Sequence, residues 1–71
     1  MRVDVFYVVE VPSTWRRECG DNDTIAGGPY WLLSGASERC ADMNAGVDPE
    51  DGTAPSFVVG RVAVTLEEVD A

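Results

Sequence analysis

A chain of 71 residues has room for one domain and one small core, and its 45% apolar content is too high for a disordered tail. Thirteen acids face five bases, all arginine, for a net charge of −8, and there is no Lys, His or Gln. That balance excludes direct nucleic-acid binding, which needs a basic stripe on the phosphates, and disfavours an anionic membrane surface.

The first element is a strand. From Val3 to Val11 every odd position is apolar (Val3, Val5, Tyr7, Val9, Val11), between Asp4, Phe6, Val8 and Glu10. Alternation of β-branched and aromatic residues is the strand signature, and Pro12 ends it. Residues 12–28 read as one long loop with an acidic tip, Cys19-Gly20-Asp21-Asn22-Asp23, closed by Gly27-Gly28-Pro29. Tyr30-Trp31-Leu32-Leu33 is the expected second strand, with Trp31 in the core. A helix is expected over about 35–45, capped by Ser34 or by Ser37. Its buried stripe is Ala36, Cys40, Met43 and Val47, with Ala41 and Ala45 beside it, and Gly46 is its stop. Asp48 to Thr53 is turn chemistry. Phe57 to Leu66 is the third strand, with Gly60 the expected site of a bulge, and 67–71 is an acidic tail expected to fray. The order β-β-α-β predicts an α+β domain spanning 1–71: a small antiparallel three-stranded sheet with one helix packed on one face.

The chemistry is defined mostly by what is missing. Without histidine, no Ser/His/Asp triad or Cys/His dyad can be assembled in one chain, and without lysine Schiff-base chemistry is excluded. Two cysteines fall short of a structural zinc set, and no phosphate loop or dinucleotide fingerprint is present. Asp21-Asn22-Asp23 opens like a calcium loop, but the central glycine is displaced and Leu32 stands where the closing glutamate belongs, so it reads as a loop turn. No enzymatic activity, cofactor or metal is expected. The start Met1-Arg2-Val3-Asp4 has no signal-peptide pattern, and the expected location is cytoplasmic, with Cys19 and Cys40 reduced. In an oxidising compartment they would close a loop of about 20 residues, worth roughly 3 kcal/mol.

Two readings follow. The first is a non-enzymatic protein-binding module, a small inhibitor or modulator of the kind encoded by phages or mobile elements. Its acidic surface would block a basic, nucleic-acid-binding site on a partner protein, as a DNA mimic does. The candidate contacts are Asp21, Asp23, Asp48, Glu50, Asp51, Glu67, Glu68 and Asp70, with Trp15 an apolar anchor or a loop-packing residue. The alternative is a structural or oligomeric accessory domain whose acidity reflects a GC-rich or salt-adapted host. In that reading a bare sheet face carrying Phe6, Val8, Phe57 and Val59 forms a homodimer.

Overall fold

The computed structural model describes residues 1–69. Five elements follow one another: β1 (Arg2–Val11), α1 (Thr14–Glu18), β2 (Thr24–Tyr30), α2 (Leu33–Ala45) and β3 (Ser56–Thr65). The three strands form one antiparallel sheet in the order β2-β1-β3. The expected α+β architecture is therefore present, with β-β-α-β order once the short α1 is set aside.

β1 and β3 pair without interruption from Arg2↔Thr65 to Val11↔Ser56. Gly60 sits opposite Tyr7 in regular register, so the bulge expected there does not exist. The irregularities lie between β1 and β2 instead, where the register shifts between Phe6 and Val8 and again between Val8 and Val9. The surplus residues fall on β2, around Gly28-Pro29 and Ala26. Gly28 adopts φ +116°, and a Cβ there would lie 2.9 Å from Cδ1 of Tyr7 and 3.0 Å from the Phe6 carbonyl oxygen. Only glycine fits that backbone and that approach.

The second strand is thus displaced from its expected place. Residues 24–29, read as the end of a loop, are strand, and Trp31 to Leu33 lie beyond it. An edge strand tolerates Pro29, because an edge residue has no ladder partner on one side for its missing N–H. Trp31 is 69% exposed and so is not a core residue. α1 is likewise an element where a loop was expected. The Ser13 hydroxyl accepts from the Arg16 N–H at 3.3 Å, and the Ser13 carbonyl accepts from the Arg17 N–H at 2.9 Å.

α2 starts two residues earlier than expected. Its N-cap is Leu32, which has no side chain able to accept a hydrogen bond; Ser34 lies inside the first turn. The predicted stripe holds in part: Ala36 and Cys40 are buried and Met43 half-buried, whereas Val47, also half-buried, lies past the helix end. Ala41 and Ala45, expected beside the stripe, are exposed because they turn away from the sheet. This stripe lies over the sheet face of Val8, which is fully buried. A Cβ on Gly35 would sit 3.6 Å from the Tyr30 ring, and Tyr30 pairs with Phe6 on that face. At the helix's far end, Asn44 acts as a fragment of a fourth strand. Its Oδ1 accepts from the Phe57 N–H and its Nδ2 donates to the Phe57 carbonyl, both at 2.9 Å. The Cys40 thiol donates to the same carbonyl at 3.2 Å. Edge groups that would otherwise face solvent are thereby satisfied.

The helix therefore covers Phe6, Val8, Phe57 and Val59, the face expected to stay bare. The opposite face, carrying Val9, Ile25, Val58, Val62 and Val64, has no layer on it. Val58, Val62, Val64 and Ile25 are exposed, while Phe57 and Val59, alternating with them, are half-buried. Among the described residues the buried apolar ones are few: Val5, Val8, Ala36 and Cys40.

Candidate functional site

The strand ends bring two acidic loops together. Glu10 of β1 is paired with Thr24 at the start of β2 and with Phe57 at the start of β3. The 12–23 and 46–55 segments consequently leave the sheet at the same end. Residues from both line an open cleft of about 450 Å³, among them Glu10, Arg16, Asp21, Thr24 and Thr53.

Within this end, local hydrogen bonding explains why each acid sits where it does. Asp48 and Asp51 each turn a carboxylate back on the chain: Asp48 Oδ1 accepts from the Glu50 N–H and Asp51 Oδ1 from the Thr53 N–H, both at 2.9 Å. These are Asx turns, the conformation that short acids favour between regular elements. The Thr53 hydroxyl also donates to Asp51 Oδ1, at 2.7 Å. These two bonds, with the Arg16 charge as a smaller contribution, hold the Asp51 carboxyl below its ordinary value of 3.8.

The 12–23 segment is tied differently. Arg17 donates to Asp23 at 2.7 Å and Arg16 to Asp21 at 3.5 Å, all four side chains about half-exposed. The Asp21-Asn22-Asp23 carboxylates thus face guanidinium groups. Among the described residues no three His, Cys, Asp or Glu side chains are grouped to hold a metal ion. Trp15, on α1 at this same end, is 58% exposed. Cys19 is exposed, Cys40 is buried, and neither is in a disulfide.

The candidate contact residues divide between the ends of a body 52 Å long. Trp15, Asp21, Asp23, Asp48, Glu50 and Asp51 belong to the two loops at the cleft. Glu67 and Glu68 follow Leu66, which exchanges hydrogen bonds with Met1 where β1 begins and β3 ends. Asp70 lies outside the described residues. Glu10 and Glu18 join the cleft end although neither was singled out in the sequence. Glu10 sits on an alternating strand and gives no hint of which loops border it; only strand pairing reveals that. At the cleft end seven carboxylates (Glu10, Glu18, Asp21, Asp23, Asp48, Glu50, Asp51) accompany two arginines, Arg16 and Arg17.

Among the described residues no helix is long and apolar enough to cross a membrane. Comparison with known protein families, with characterised proteins and with solved structures found no match.

Proposed function

We propose that this chain is a non-enzymatic protein-binding module whose cleft end engages a basic site on a partner protein. The observation that carries the proposal is the convergence of two acidic loops at one end of the sheet, beside an exposed Trp15. Carboxylates gathered on one surface focus their field and speed encounter with a cationic partner, and a solvent-facing tryptophan supplies the apolar anchor that charge alone lacks. In this reading the contacts are Asp48, Glu50, Asp51 and the outward oxygens of Asp21 and Asp23. Glu67 and Glu68 act at a distance, through net charge. An inhibitor that occupies a nucleic-acid-binding groove, as phages and mobile elements encode, is one biological form such a module takes.

The test separates placed charge from total charge. Asp48→Lys with Glu50→Lys changes net charge by the same amount as Glu67→Lys with Glu68→Lys. Partner capture from lysate, released by high salt, should be lost in the first pair and kept in the second. Equal loss in both pairs, or capture indifferent to the first, overturns the proposal.

A further inference from the structure

The sheet face opposite α2 is uncharged. The β1 and β3 side chains on it are Val3, Val5, Tyr7, Val9 and Val11 opposite Val64, Val62, Gly60, Val58 and Ser56, and Ile25 of β2 lies beside Val9. On the helix-covered face, by contrast, the same two strands place Arg2, Asp4, Glu10 and Arg61. A chain with 25% charged residues has put none of its strand charges on this side. Val58 and Val62 are nonetheless 46% and 48% exposed, and Ile25 is 68% exposed.

The dimensions show how much surface is left over. The radius of gyration is 15.1 Å and the shortest extent 16 Å, whereas a compact chain of this length has a radius of about 11 Å. The accessible surface is 5431 Å², while a folded monomer of 7.7 kDa exposes roughly 4,300 Å². The excess, about 1,100 Å², is spread over the whole elongated body, and the exposed valines and Ile25 of this face are one share of it. Four buried apolar side chains among the described residues are also a thin core for an independent domain.

We infer that this face is the interface of a homodimer, two sheets packed face to face about a two-fold axis with Val9, flanked by the exposed Ile25 and Val58, near its centre. A neutral, β-branched surface selects an equally neutral partner, and a second copy supplies one of matching shape. A basic protein would find no carboxylate on this face to meet. Two three-stranded sheets stacked at about 10 Å form the two-layer sandwich that twisted sheets favour. The helices and the cleft ends stay outside, so the dimer forms whether or not the cleft end binds a partner. Because both chains carry −8 and the face carries none of it, salt screens the repulsion and leaves apolar burial intact.

Sedimentation velocity on the purified chain tests this, with Val62→Lys, Ile25→Lys and Ala63→Lys as matched charge changes. Ala63 neighbours Val62 on β3 but points to the other face. The wild-type chain should sediment as a dimer that persists or tightens at high salt. Val62→Lys and Ile25→Lys should shift it to monomer, and Ala63→Lys should leave it dimeric. If Val62→Lys does not fold, Val62→Thr, which keeps the branched shape and replaces one methyl with a hydroxyl, should weaken the dimer in the same direction. A wild-type monomer at every concentration overturns the inference. So does a dimer that survives both face substitutions, or one lost equally with Ala63→Lys. A dimer broken by Val62→Lys but not by Ile25→Lys would indicate pairing along the β3 edge and also overturns it.

Discussion

Thr53 gives both its hydroxyl and its backbone N–H to a single carboxylate oxygen of Asp51. Hydrogen bonds to the ionised form lower a carboxyl's pKa, so the folded value lies below the unfolded one. The linked stability is present above the unfolded value and disappears as pH falls through the folded one. Thr53→Ala, which removes the hydroxyl but keeps the N–H, should raise the Asp51 titration midpoint towards 3.8, as read by side-chain carbon NMR; an unchanged midpoint would mean that the hydroxyl bond does not form in solution. Val8 is the residue on which the core turns. Removing its two methyl groups leaves a void between sheet and helix, and Val8→Ala should cost about 2 kcal/mol in urea unfolding. For Gly28 the limit is conformational: Gly28→Ala should destabilise by about 1–3 kcal/mol, since a Cβ there meets Tyr7 at a φ that L residues avoid. Val8 was legible in the sequence as an apolar strand residue on a partly apolar second face. The need for glycine at 28 was not, because Gly27-Gly28-Pro29 reads as an ordinary turn until its approach to Tyr7 is known.

At the scale of elements, alternation and spacing decided what could be foreseen. β1 and β3 each carry a run of β-branched residues, and both strands lie within a residue of their expected bounds. α2 was visible through Ala36, Cys40, Met43 and Val47. β2 was missed because Thr24-Ile25-Ala26-Gly27-Gly28-Pro29-Tyr30 has no alternation to detect; pairing with β1 makes it a strand despite its composition. The apolar run that looked like that strand, Trp31-Leu32-Leu33, instead begins the helix without a cap. Leu32 is exposed and has extended N-cap geometry, φ −119° and ψ 136°. Leu32→Asp supplies the missing acceptor and a negative charge at the helix start, and should stabilise the protein by about 1 kcal/mol in urea unfolding. No gain would imply that Leu32 is covered in solution.

For the whole molecule, composition foretold an acidic chain but not how its charge is distributed. Apart from Glu38 and Asp42 on α2, the described acids gather towards the two ends of the long antiparallel strands, and one sheet face has none on its strands. The wholly apolar odd-numbered side of β1 made the Phe6 and Val8 side the one expected to stay bare; the half-buried Phe57 and Val59 and the exposed Val58 and Val62 show that α2 covers that side instead. A thin, elongated body with a neutral face and an acid-rich end has two surfaces with opposite responses to salt. Self-association through the neutral face should persist or strengthen as salt rises, while capture of a basic partner should weaken. Sedimentation equilibrium of the purified chain across a salt series measures the first response directly. The expected mass is twice that of the 7.7 kDa chain, retained or favoured at high salt. A monomer throughout, or a dimer that dissolves as salt is added, would contradict it.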